Sequence, residues 1–196
     1  MKSVFRHRSL VSLVLAAALG AAALSGCGSS EDESSPAPDY SARLAGAPAP
    51  LASLYKQGNE LLTGGLDAYD QRIASLNGYP AVVNVWASWC GPCRAEFPHF
   101  QQVAANMGKK VGFLGVNSDD NRDAANTFLS THQVPYPSYE DPDKSIASSV
   151  DATFGFPATA FYNADGELTY TKSGPYTSNE ELVADIRTYA LETDPG

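Results

Sequence analysis

The stretch that decides the fold is Pro80-Ala81-Val82-Val83-Asn84-Val85-Trp86-Ala87-Ser88-Trp89-Cys90-Gly91-Pro92-Cys93-Arg94-Ala95-Glu96-Phe97-Pro98. Residues 80–87 are a short apolar run of β-formers, the pattern of a strand buried on both faces. Pro92 then suits the opening turn of a helix, because its φ is preset and it has no N–H to leave unsatisfied. Residues 92–107 read as that helix, with Gly108 placed to end it. A strand therefore hands over to a helix around Ser88-Trp89-Cys90, and two cysteines separated by two residues straddle the junction.

Cysteines at that spacing can close a small disulfide across the first helical turn. The first of them lies among unpaired N–H groups at the positive end of the helix dipole, which stabilises its thiolate. The thiolate is the attacking species in thiol–disulfide exchange. Cys90 is the expected nucleophile and Cys93, one turn deeper, the expected resolving thiol. Two other uses of the pair compete with this one. Structural zinc normally takes four ligands, often from a second cysteine pair. The remaining cysteine is Cys27, and His99 and His132 read as helix-surface residues, so no metal is expected. A purely structural disulfide would close too small a loop to stabilise the domain much.

Working outward, residues 51–62 suggest a short helix and residues 69–76 the lead-in to a strand. Residues 111–116 form a second buried run. A helix is predicted over 121–131 and a shorter one over 145–150. Residues 158–162 and 168–171 read as strands joined through Asn163-Ala164-Asp165-Gly166, a hairpin turn signal. Ser178 with Glu181 makes a capping box for a last helix to about residue 191. Strands alternating with helices, then a hairpin and helix, describe an α/β sandwich on a mixed sheet.

The whole chain has 196 residues, 43% of them hydrophobic, and a net charge of −9. That composition excludes a disordered chain and a multi-pass membrane protein. The negative charge argues against a nucleic-acid partner, whose phosphates would repel it. Residues 1–8 carry Lys2, Arg6 and Arg8 and no acid, and residues 10–24 are apolar but for one serine. This is the secretory signal pattern. It ends in Leu24-Ser25-Gly26-Cys27, which resembles the bacterial lipobox, so residues 1–26 are an expected signal peptide and Cys27 an expected lipidation site. The competing reading is an uncleaved span, since residues 9–30 carry no charge. Removing residues 1–26 takes away three cations and no acid, so the mature chain carries −12. Residues 27–50, rich in Gly, Ser, Ala, Pro and acid, read as a disordered tether with a reach of about 26 Å. Residues 51–196 remain for the folded domain.

Residues 83–98 resemble the active-site segment of the TlpA/ResA branch of thioredoxin-like proteins, which are membrane-tethered, extracytoplasmic thiol–disulfide oxidoreductases. The likeness extends over residues 51–196. It includes Gly115-Val116-Asn117-Ser118-Asp119-Asp120, the Phe154-Gly155-Phe156-Pro157-Ala158-Thr159 loop and Asp165-Gly166. The resemblance implies a thioredoxin-like α/β/α sandwich with a mixed central sheet and a central insertion over residues 118–149, with Val134-Pro135-Tyr136-Pro137 inside it. It implies a cis Pro157 facing the cysteine pair, with the Phe156 backbone pairing with a substrate strand. Trp89, Gly91 and Pro92 belong to the same substrate surface, whereas Trp86 reads as core and Pro98 as a structural kink.

Glu96, three residues beyond Cys93, corresponds to a family glutamate that tunes the thiols and shuttles protons. The plain alternative is a solvated acid near a helix N-terminus. Asn84 stands where cytoplasmic thioredoxins carry a buried aspartate, and an amide cannot take a proton from the resolving thiol. Glu96 is then the candidate acid for that step.

What the resemblance implies about function is a reductase of exported-protein disulfides, including the haem-binding thiols of apocytochrome c. Its electrons would come from a membrane protein of the CcdA/DsbD kind, and it needs no cofactor. Two alternatives stay open: an oxidase that inserts disulfides into exported proteins, and a non-catalytic binding module using the Phe156-Pro157 groove. A copper carrier fits less well, since such relatives space their cysteines by three residues. The expected location is the extracytoplasmic face of the bacterial cell membrane. Cys27→Ser is expected to move the full-length protein from the membrane to the soluble fraction on cell fractionation. Retention of that variant in the membrane would assign residues 9–30 to a span instead.

Overall fold

Five of the six residues Ala81–Trp86 are apolar, and a strand of that kind must be covered on both faces. The computed structural model describes residues 39–192, and residues 1–38 with Cys27 lie outside the described residues. In chain order the elements are α1 Tyr40–Leu44, α2 Ala49–Tyr55, β1 Leu61–Leu62, α3 Gly65–Ser75, β2 Ala81–Trp86 and α4 Gly91–Met107. There follow β3 Gly112–Ser118, α5 Arg122–Thr131, β4 Ser138–Asp141, α6 Ser145–Ser149, β5 Ala158–Tyr162, β6 Leu168–Ser173 and α7 Asn179–Asp185, which runs on into a π-turn over Ile186–Ala190.

The strands form one mixed sheet in the order β1-β4-β3-β2-β5-β6. β1, β4, β3 and β2 are parallel to one another; β5 runs antiparallel to β2, and β6 antiparallel to β5. Alternation along β2 sends Val82 and Trp86 to one core and Ala81, Val83 and Val85 to the other. The first core holds Phe97, Phe100 and Val103 of α4, Phe128 and Leu129 of α5 and Leu182 of α7. The second holds Leu51 and Leu54 of α2, Tyr69 and Ile73 of α3 and Ile146 of α6. The fold is thioredoxin-like, three layers around a mixed sheet.

Three expectations are corrected. Residues 69–76 are not the approach to a strand but part of α3. Leu66, Tyr69, Ile73 and Leu76 recur at helical spacing, and Tyr69, Ile73 and Leu76 are buried on the second core. The helix expected over 51–62 is α2, which starts earlier and stops at Tyr55; Leu61 and Leu62 instead pair with Ser138 and Tyr139 of β4 as an edge strand. The tether does not run to Pro50. Residues 39–50 hold α1 and the start of α2, with Asp39 capping α1 and Pro48 standing at the N-cap of α2. Leu44 is buried there, and Arg43 donates to Asn106 Oδ1 at 2.9 Å, so this proline-rich stretch is docked on α4. Proline does not oppose helix in an opening turn, which is where both prolines stand. The insertion over residues 118–149 adds α5, β4 and α6, and β4 sits between β3 and β1.

The sheet under the cysteine helix is tight at Gly115 of β3. A Cβ there would lie 2.1 Å from Ser138 Oγ and 3.0 Å from Trp86 Nε1, whose N–H donates to that hydroxyl at 3.2 Å. Gly115→Ala is expected to destabilise the fold by about 1–3 kcal/mol, read as a lower urea midpoint at unchanged slope.

Candidate active site

The end of β2 and the start of α4 set the cysteines. Cys90 is the N-cap residue of α4, with φ −81° and ψ 107°, and its Sγ accepts from the Cys93 N–H at 3.2 Å. The two form a disulfide with a Cα–Cα distance of 5.3 Å. Cys90 keeps 4% exposure and Cys93 none, so Cys90 is the cysteine of the pair nearer to solvent. Gly91 and Pro92 are exposed on the opening turn. Trp86, Phe97 and Phe128 pack edge-on and tilted at 4.7–5.3 Å between ring centroids, holding α4 against the sheet.

Glu96 lies one turn beyond Cys93 and is fully buried. It is not the solvated acid of the simpler reading. Asn84 Nδ2 donates to its Oε1 at 2.6 Å, and the Tyr176 backbone N–H donates to its Oε2 at 3.1 Å. Asn84 and Glu96, which sequence reasoning set side by side as amide and acid, are therefore in direct contact. Burial pushes the Glu96 carboxyl up to about 7, against the pull of those two hydrogen bonds and of the Lys172 charge.

The mouth of the site is aromatic. Trp89 is 61% exposed, its indole N–H donates to Asp119 O at 2.9 Å, and its ring lies 6.0 Å from that of Phe156. The Phe156–Pro157 peptide is cis, Pro157 is buried, and its carbonyl accepts from Gly174 N–H at 2.9 Å. The Phe156 N–H and C=O make no hydrogen bond among the described residues. A cavity of about 620 Å³ lies elsewhere, around Tyr40, Leu44, Tyr55 and Val134. His99 and His132 are half-buried and structural. His99 Nδ1 meets Asn179 Oδ1 at 2.9 Å, and the His132 ring stacks on Phe128 at 4.2 Å. Among the described residues no three His, Cys, Asp or Glu side chains converge as a metal-binding group.

One part of the site went unassigned by sequence reasoning. Asp120 accepts from the Ser88 N–H at 2.5 Å, the Ser88 hydroxyl at 2.9 Å, Asn117 Nδ2 at 2.8 Å and the Asn121 N–H at 2.8 Å. Partial burial opposes its charge, but these bonds outweigh it and hold the carboxyl below the usual range. The turn after β3 thus clamps Ser88 and Trp89, the two residues before Cys90. Its signal was the acidic pair Asp119-Asp120 at the carboxyl end of the strand neighbouring β2, where α/β sheets build their sites. Only the register, Trp86 opposite Asn117, shows that it reaches the cysteine loop.

The family model described as Redoxin matches residues 34–186. The chain belongs to the Redoxin family. A Tatumella citrea relative named thiol:disulfide interchange protein DsbE is 34% identical over 132 residues, covering 67% of this chain and 66% of that protein. A Bacillus subtilis relative named thiol-disulfide oxidoreductase ResA is 26% identical over 114 residues, 58% of this chain and 62% of that protein. The chain thus spans two thirds or less of the length of these two relatives. The solved structure of a secreted Mycobacterium tuberculosis disulfide oxidoreductase homologous to E. coli DsbE superposes with a TM-score of 0.52 at 32% identity, covering 59% of this chain and 85% of that one. Within the Redoxin family, the fold and paired cysteines of this chain are those of the TlpA/ResA-type thiol–disulfide oxidoreductases.

Glu96 couples this site to stability. Its folded carboxyl, at about 7, stands above its ordinary 4.5. The stability that the neutral acid contributes is fully present below pH 4.5 and is lost as pH rises through about 7. Urea unfolding of the oxidised protein is expected to show stability falling by up to about 3 kcal/mol across that window, and Glu96→Gln is expected to flatten the fall.

Proposed function

We propose that the protein is a membrane-tethered, extracytoplasmic reductase of disulfides in exported proteins, working through Cys90 and Cys93. One observation carries the direction: the buried Glu96 carboxyl one turn from Cys93. Residues three apart on a helix lie about 5–6 Å apart at Cβ. Negative charge there, out of water, disfavours a thiolate on the neighbouring sulfur. A couple whose reduced form is not stabilised holds its electrons weakly and gives them away, whereas a strong oxidant stabilises its reduced form. The Cys93 N–H on Cys90 Sγ works the other way, toward an oxidase, by favouring the Cys90 thiolate.

In the reduced protein the Cys90 thiolate attacks one sulfur of the partner's disulfide. The partner S–S bond breaks, its other sulfur leaves and takes up a proton, and a mixed disulfide joins Cys90 to the partner. Glu96 takes the proton of the Cys93 thiol, whose sulfur then attacks Cys90. The partner departs as a dithiol, two electrons have passed to it, and the Cys90–Cys93 disulfide closes. Phe156 beside the cis Pro157, with its backbone groups unpaired, serves the partner strand, and Trp89, Gly91 and Pro92 serve its approach. The partner class includes apocytochrome c with its haem-binding thiols. A CcdA/DsbD-type membrane protein restores the dithiol, and lipid on Cys27 holds the enzyme at the extracytoplasmic face. No helix among the described residues is long and apolar enough to cross a membrane.

The reduction potential of the Cys90–Cys93 couple, measured against glutathione and dithiothreitol, is expected well below about −220 mV; a value near −120 mV would overturn the reductase in favour of the oxidase. Cys93→Ser is expected to trap partners as mixed disulfides on Cys90, and a cell in which Cys90→Ser/Cys93→Ser changes nothing would leave only a binding module.

A further inference from the structure

Three large apolar side chains are strongly exposed among the described residues: Trp89, Tyr170 and Phe154. Two of them have ring partners. Tyr170 stacks on Tyr189 with centroids 4.2 Å apart, and Trp89 lies against Phe156. Phe154 is 92% exposed and packs in neither core. An aromatic ring left in water gains nothing for the fold and stands ready for a contact the free protein does not make.

Its place gives the contact. Phe154 and Phe156 flank Gly155, whose φ is +127° and where a Cβ would meet nothing within 4 Å. Among the described residues, no backbone hydrogen bond is made by residues 153–156. Trp89 precedes Cys90 in the chain, its ring lies against Phe156, and Phe154 stands two residues before Phe156, so apolar side chains and free backbone groups lead away from the cysteine. Free main chain beside side-chain contacts is what strand addition uses, the backbone for affinity and alternate side chains for specificity. A partner must bring its sulfur to Cys90, since Cys93 is fully buried. In an extended segment the residues two positions from that sulfur share its face, about 7 Å away. That reach, from a sulfur at Cys90, is of the order of the Trp89–Phe156 separation of 6.0 Å.

We propose that Phe154 is a specificity-determining residue for the partner: it selects extended segments that carry an aromatic residue two positions from the disulfide cysteine. This rests on the exchange reading above and deepens it. The step is the same exchange. The protein dithiol is oxidised to the Cys90–Cys93 disulfide, and the partner's S–S bond is reduced to two thiols.

The test uses the full-length reduced protein and two short peptides, identical except for Phe or Ser two residues after a single cysteine, each as its mixed disulfide with glutathione. Glutathione disulfide is a third substrate, and the readout is the ratio of rates for the two peptides. The unaltered protein is expected to favour the Phe peptide about tenfold, equivalent to about 1.4 kcal/mol. Phe154→Ser is expected to bring that ratio to within about twofold, and Phe154→Leu to keep most of it; the ring's exposure means that neither change should disturb folding. A ratio near one in the unaltered protein, or a ratio that Phe154→Ser leaves alone, overturns the proposal. So does a dimer on sedimentation that Phe154→Ser dissociates without touching the ratio, which assigns the ring to a second copy. Reaction with glutathione disulfide but no peptide preference sinks this inference alone. Reaction with none of the three sinks the exchange reading and this inference with it.

Discussion

Burial of β2 on both faces is the constraint from which the site follows. Because Val82 and Trp86 are held by one core and Val83 and Val85 by the other, the strand can neither slide nor rotate. The chain must leave the sheet at its carboxyl end, and α4 must begin there. That places the unpaired N–H groups of a long helix at the sheet edge where Cys90 caps them. Trp86, Phe97 and Phe128 lock the helix down, so the spacing of the two sulfurs is a property of the core rather than of a loop.

Two electrostatic influences meet at this junction with opposite sign. The helix terminus and the Cys93 N–H favour negative charge on Cys90. Glu96, buried and held by Asn84 and Tyr176, puts one turn further in an acid whose ionised form would oppose such charge. The pair is thereby split into a slightly exposed cysteine at the helix terminus and a buried one beside a buried acid. Asp120 adds a mechanical element, since it ties Ser88 to the turn after β3 and keeps Trp89 at the mouth.

Residues whose behaviour depends on near neighbours were legible in the chain itself. The strand–helix handover, the cap at Ser178 and the turn after Asn163 follow from local pattern and are present. Residues 69–76 misled because Tyr69, Ile73 and Leu76 are also good strand residues, and short apolar stretches suit either state until the partner face is known. Residues 39–50 misled because Pro and Ala composition reports flexibility only where nothing packs, and Leu44 and Leu51 do pack. β1 is two residues long and is defined only by its register with β4.

The sequence by itself determined the chemistry: two cysteines at the head of a helix, an amide in place of an acid at Asn84, and a glutamate one turn on. These depend on residue identity and on separations of a few positions, which helix and strand geometry convert directly into space. The tertiary structure alone decided that Glu96 is buried against Asn84 and Tyr176, that Asp120 grips the loop before Cys90, and that Phe156 lies against Trp89. Those contacts join residues 12, 80, 32 and 67 positions apart. No local pattern encodes such pairings, because they exist only once the sheet register and the two cores have brought distant segments together.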